Sequence, residues 1–433
     1  MKFFIKGGVY VAEYKRKKVK KSLSREKNRV SNKSVVTTVN KRNKNIGIVP
    51  EDSIKVVKGS KFKRKEQLKL FSLVIIVVFL VLFLLSAVTP GSLYENAVKF
   101  VATMGHGSYP VDISGGTVLK SVSNDSHYYV LTDTNITAYS NNGKILFNEL
   151  HGFSNPIIST TSTRALVYDQ GGKSVNIYNL KGSIYTLQTE KEIITASISQ
   201  NGDFAIATHS DSYASVATVY NSNFKVVYTW NSAKDIVNNV LVNPKGDMLA
   251  VSTINAVSGQ YSSKISILDF ESADPLHTLD LGNSLPLTIE NTAKGISIIC
   301  DNKYKFLNWS KFTTSEILVS GEINSFRNSK NGLLLMVNRA NDRSDNTIVL
   351  VSKKGEKISE FKINNLITDI QYNKGRVYTV SDTEINIYDK DGNVLKTGTC
   401  DYGTQKINII APNFVSAISD SEIVKINIDE GDK

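Results

Sequence analysis

Beyond residue 110 apolar and polar residues alternate with a period of two through most of the chain, the pattern of half-buried strands. Four segments repeat one arrangement, a tight Gly-bearing turn between two apolar runs: Ile136–Leu146, Val175–Tyr185, Ile348–Ile358 and Ile385–Leu395. In each, Gly follows the last apolar strand residue by four positions (Gly143, Gly182, Gly355, Gly392), where a residue free to take positive φ closes a short hairpin. Between these hairpins lies a second kind of polar turn, after apolar runs ending near Ser121, Ser159, Ser199, Val242, Ile289, Phe326, Tyr372 and Ala411. Their spacing of 37–47 residues predicts eight units, each of four short strands, which is the sequence form of a propeller blade.

The eighth unit has room for three strands only: Ile407–Ile410, Phe414–Ile418 and Ile423–Ile428. An open blade edge needs a partner, and Tyr109–Ser114, standing before the first full unit with Val111 and Ile113 in alternation, is the candidate outer strand. The expected fold is therefore all-β, an eight-bladed propeller. Seven blades are the alternative if unit boundaries merge around the long insertion at Ile254–Ser263.

The periodicity is different upstream. Leu70–Val88 holds 19 residues with no charge and only Ser72 and Ser86 as polar interruptions. As a helix it spans about 28 Å, close to the ~30 Å hydrocarbon core, and it is apolar all round, so a single transmembrane helix is expected. A cleaved signal peptide has a shorter leader and a shorter apolar core. Lys61, Lys63, Arg64, Lys65 and Lys69 crowd its N-terminal end, which orients residues 1–69 to the cytoplasm and residues 89–433 outside the cell membrane. Thr89-Pro90-Gly91 is the expected helix stop, Thr89–Ser108 a stalk, and 109–433 the extracellular propeller.

Charge follows the same division. Residues 1–69 carry 22 Lys/Arg and 5 Asp/Glu, a net +17, while the remaining 364 carry 30 and 35, a net −5. The basic balance thus belongs to a polar tail that reads as disordered. Its Tyr14–Arg29 run lacks aromatic interleaving and a folded reader, so anionic lipid is the expected partner and nucleic acid is disfavoured. The mildly acidic outer domain is expected to avoid the anionic cell wall and stay free for a specific envelope protein.

The anchor at Leu70–Val88, the Gly107–Lys120 segment GSYPVDISGGTVLK and the Tyr128–Lys144 blade resemble an uncharacterised Firmicute family of membrane-anchored β-propellers, a domain-of-unknown-function family. The repeats are similar in period to WD-type and YVTN-type repeats, although the Trp-Asp dipeptide is absent. The resemblance implies fold and location and no activity.

Candidate chemistry is sparse. His106, His127, His151, His209 and His277 stand apart with no ligand spacing, and His106 and His151, each beside Gly, read as solvated loop residues. Cys300 closes an apolar strand and Cys400 falls in a turn between units, so a disulfide is not expected. Asp389–Asn393 resembles a Ca²⁺ loop, but Gly392 comes at the fourth position and no Glu completes it, which leaves a hairpin turn. Eight-bladed quinoproteins are similar in blade number, yet they rely on repeated Trp docking motifs, and Trp230 and Trp309 read as packing between blades. No catalytic, metal or cofactor-binding residue is assigned, and no convergent titratable cluster is visible. The expected function is a non-catalytic binding or scaffold module for envelope partners. The alternative is an envelope enzyme or sugar-binding propeller acting on a cell-wall ligand.

Overall fold

The computed structural model describes residues 61–428 apart from 89–91, 114, 125, 258, 293, 340 and 341. The tail over 1–60 and the helix stop at 89–91 lie outside the described residues. Helix α1 runs Lys61–Val88. Among the described residues no helix is long and apolar enough to cross a membrane; in α1 the side chains described end at Val81. Those from Leu73 to Val81 are all large apolar groups and all exposed.

Thirty-two short strands follow helix α2 (Ser92–Thr103) and form eight four-stranded antiparallel sheets. Blades 1 to 7 are simple meanders over 118–150, 156–188, 193–232, 236–282, 286–318, 322–364 and 369–399. In each blade the strands are A to D in chain order, with A innermost. All eight polar-turn markers read from the sequence fall in or at the end of an A strand. Blade 8 takes Lys406–Ala411, Phe414–Ile418 and Glu422–Asn427 as A to C, and Val111–Asp112 from the other end of the chain as D. Val111 pairs with Ile423 and Asp112 with Glu422, and Ile113 N–H donates to Ser421 O at 2.8 Å. The ring therefore closes by the expected exchange, and eight blades replace the seven-blade alternative. The insertion at Ile254–Ser263 merges nothing: it lengthens strands B and C of blade 4 to ten residues each, paired from Met248↔Asp269 to Val257↔Gln260.

The core is not one mass but eight clusters, one in each gap between blades. Ile265 and Ile267 of blade 4 meet Ile296 and Ile298 of blade 5, for example. At the closure Val118 and Tyr128 of blade 1 meet Ile418 and Ile423 of blade 8, with Tyr109, Val111 and Ile113 packed alongside. This is why central strands read as nearly continuous apolar runs: both faces of each sheet are buried. Gly143, Gly182, Gly355 and Gly392 all take positive φ, as the C–D hairpins require.

One expectation needs correcting. The segment expected to be a stalk, 89–108, contains α2, and Val98 of that helix is buried. Period-two reading does not detect a three-turn helix, and its apolar spacing is short enough to pass for a linker.

Candidate functional site

A four-stranded meander sends its A–B and C–D turns to one face of the disc and its B–C turns and D–A links to the other, with the A strands lining a central channel. These three surfaces are where function can reside.

The channel wall is held by polar contacts from blade to blade. Asn408 and Ser121 exchange hydrogen bonds of 2.8 and 3.0 Å across the closure. Ser197 Oγ donates to Val240 O at 2.6 Å, Asn291 Nδ2 to Val242 O at 2.8 Å and Asn328 Nδ2 to Asn291 O at 3.2 Å. Asp369, 3% exposed, joins three blades: its carboxylate accepts from Arg327 Nη2 of blade 6 and from Ile407 N–H of blade 8. Those of Asn408, Ser121 and Asp369 satisfy groups that the ring shields from water.

The same wall brings together charges that are 170 residues apart in the chain. Lys120 on strand A of blade 1 and Glu290 on strand A of blade 5 interact across the channel, with Arg327 beside them. Burial is the largest influence on both. It raises the Glu290 carboxyl above its usual range, against the opposing pull of Lys120 and Arg327, and it lowers the Lys120 amine. Lys120 is exposed and Glu290 half-buried, so both keep some surface open. Periodicity gave no sign of this cluster, because its members sit in different repeats, far apart in the chain. The only available clue was an isolated Lys or Glu at the inner-strand position.

Helix α2 lies on the face of A–B and C–D turns. Glu95 pairs with Arg164 in the A–B turn of blade 2 and accepts from Thr163 Oγ1 at 2.8 Å, while Arg164 Nη1 reaches Ser222 O in blade 3 at 3.1 Å. Glu95 also adds to the burial that raises the Tyr129 phenol. At the other end of α2, Lys144 Nζ donates to Ala102 O and Met104 O, both at 3.1 Å, meeting the carbonyls that a helix C-terminus leaves open. Asn142 Nδ2 donates to Gly105 O at 2.6 Å. Gly107 then passes so close to this turn that a Cβ would lie 2.2 Å from Lys144 N. The chain between α2 and the closing strand is thus fastened along its length.

Most of the residues singled out from sequence serve packing or a turn. His151 is buried, not solvated: its Nε2 lies 3.1 Å from Thr132 O and its Nδ1 accepts Phe153 N–H at 3.0 Å, which fixes the neutral Nε2–H tautomer. His127 is also buried, edge-on to Tyr129, and His277 stacks on Phe312. His106 and His209 are exposed. Cys300 and Cys400 are both free and belong to different gaps, Cys300 in the core between blades 4 and 5 and Cys400 half-buried beside that between blades 7 and 8; burial pushes the Cys300 thiol up to about 12. Asp389 spends its oxygens inside its own hairpin, on Asp391 N–H, Asn393 N–H and Asn393 Nδ2, each at 2.9 Å. Trp230 Nε1 donates from blade 3 to Ala273 O of blade 4 at 3.1 Å, and Trp309 packs in the gap between blades 4 and 5. Among the described residues no group of three His, Cys, Asp or Glu could hold a metal.

A closed ring of radial four-stranded sheets, stapled by its own N-terminal strand, defines a WD40-like β-propeller. The computationally designed protein Ika8 is similar at 11% identity, with a TM-score of 0.53 over 74% of this chain and 100% of that one. The C-terminal WD40 domain of Sif2 is similar at 12% identity, with a TM-score of 0.51 over 75% and 100%. At such identities the likeness is one of fold. Residues 97–428 match the family of unknown function DUF5711, and the chain belongs to that family. No curated protein matches it.

Proposed function

We propose that this chain is a single-pass membrane protein that holds a non-catalytic propeller outside the cell, as a binding platform for an envelope protein. The observation that carries the reading is the uninterrupted exposed apolar surface of α1, from Leu73 to Val81, which none of the described residues covers, within a sequence that stays uncharged from Leu70 to Val88. A bilayer is the environment that matches it. The basic residues before Leu70 favour a cytoplasmic N-terminus held near anionic lipid, and the composition suits a Firmicute envelope. A closed ring of blades, joined at the channel by polar bonds, suits a rigid surface for recognition.

Protease added to spheroplasts should digest a C-terminal tag and spare an N-terminal one, and in-cell cross-linking should join the propeller to an envelope protein. Protection of the C-terminal tag contradicts the topology. The second reading, a wall-directed enzyme or sugar-binding module, rests on the Glu290–Lys120 cluster. It requires saturable binding or turnover of wall fragments that Glu290→Gln abolishes. Retention of that activity in the variant removes the reading.

A further inference from the structure

The chain's net −5 outside the tail conceals two unlike faces. The A–B and C–D turns, on the face that carries α2, hold twelve Lys/Arg against seven Asp/Glu among the described residues. The B–C turns and D–A links hold three against nine. One face is basic and the other acidic, and the meander alone decides to which face each turn belongs.

Helix α2 itself has two sides. Glu95, Val98 and Ala102 face the propeller, whereas Phe100, Val101 and Met104 point away and are 64%, 63% and 54% exposed. The first side is fixed by the Arg164 ion pair and the Lys144 cap, so the apolar side cannot turn inward without breaking both. Only residues 89–91 separate α2 from the end of α1. Fully extended, three residues and their flanking bonds reach roughly 10–14 Å. If α1 ends at a membrane surface, α2 cannot leave the zone of headgroups.

We propose that this face is a bilayer-docking surface: α2 lies in the interface of the outer leaflet, with Phe100, Val101 and Met104 on its acyl side and the turn lysines around it meeting anionic headgroups. An outward apolar stripe and a surrounding field of bases are the two features that bind a helix in the plane of an anionic interface. The acidic face is then held away from the membrane, open to a basic partner. The proposal rests on the membrane reading of α1.

The test uses the full chain in vesicles of phosphatidylcholine with one quarter phosphatidylglycerol. Cys400→Ser removes the accessible thiol, and the buried Cys300 stays unlabelled. Nitroxide is placed singly at Val101→Cys, Met104→Cys, Val77→Cys and, at the tip of a B–C hairpin, Tyr261→Cys. Oxygen should relax the labels at 101, 104 and 77 more than a water-soluble nickel complex does, and the order should reverse at 261. Lys181→Gln with Lys225→Gln and Lys245→Gln should lower the oxygen preference at 101 severalfold, as should omission of phosphatidylglycerol. A lipid signal at 77 with an aqueous one at 101 and 104 overturns the docking and leaves the anchor intact. An aqueous signal at 77 overturns both. Spin–spin broadening at 101 without oxygen preference shows a second copy on the helix and likewise overturns the proposal.

Discussion

The two faces of the disc are made from the same material, short Asn-, Gly- and Ser-rich turns between strands of similar length, and yet they differ in charge and in cover. The α2 face is basic and bears a pinned helix; the opposite face is acidic and, among the described residues, bears hairpin tips and the links between blades, the longest tips at Tyr261 and near Arg339. Net charge averaged over the domain hid this, because turns alternate between faces along the chain. In a repeat fold, charge becomes informative only when counted by position within the repeat.

The comparison presupposes a closed ring, so the most disruptive test removes the closure. Deleting 107–116 takes Tyr109, Val111 and Ile113 from the last gap and exposes the edge of blade 8. At ~1.5–3 kcal/mol for a fully buried apolar side chain, and with these three only half-buried, the loss should be about 4 kcal/mol, seen as a lower and broader thermal unfolding transition. An unchanged midpoint contradicts the closure. Arg164→Ala should cost about 3 kcal/mol by leaving Glu95 without its countercharge, with only Thr163 Oγ1 still donating to it, and the double variant with Glu95→Ala should recover much of that. Full additivity would show that the pair does not fasten α2. Gly107→Val should cost about 2 kcal/mol, since its Cβ would meet the Lys144 and Asn142 backbone, and it should free the helix to proteolysis while sparing the blades. Resistance of α2 to protease in that variant breaks the claim that the linker is clamped.

The smallest effect concerns the channel that joins the faces. The folded protein holds the Glu290 proton to higher pH than the unfolded chain does. Between the two values the native state therefore binds more protons, and stability falls as pH rises. Glu290→Gln should remove this slope and be equal or slightly more stable at neutral pH, read from unfolding midpoints across pH 4 to 8. A shallower acid-side loss in the variant than in the parent would mean that Lys120 outweighs burial.

Much of this architecture is legible in the chain because blades are local. A meander pairs neighbours, and Gly143, Gly182, Gly355 and Gly392 mark hairpins wherever they occur; the exchange of Tyr109–Ser114 followed from counting strands. What escaped the sequence is non-local. Lys120 and Glu290 influence each other only because the ring brings opposite blades to one axis, and α2 declares its role through Lys144 and through Arg164, the latter about 70 residues after Glu95. His151 shows the reverse error: Gly152 beside it suggested a solvated loop, whereas Thr132 O and Phe153 N–H hold it inside.

The central claim, a disc whose two faces are unlike and oriented, is tested most directly by energy transfer to a lipid-borne acceptor. A donor at Lys353→Cys on the α2 face is compared with one at Tyr261→Cys in the full chain reconstituted in vesicles. Strands of six residues at ~3.3 Å each put the faces roughly 20 Å apart. The account predicts strong transfer from 353 and weak transfer from 261. Equal transfer from both sites, or the reverse order, contradicts it.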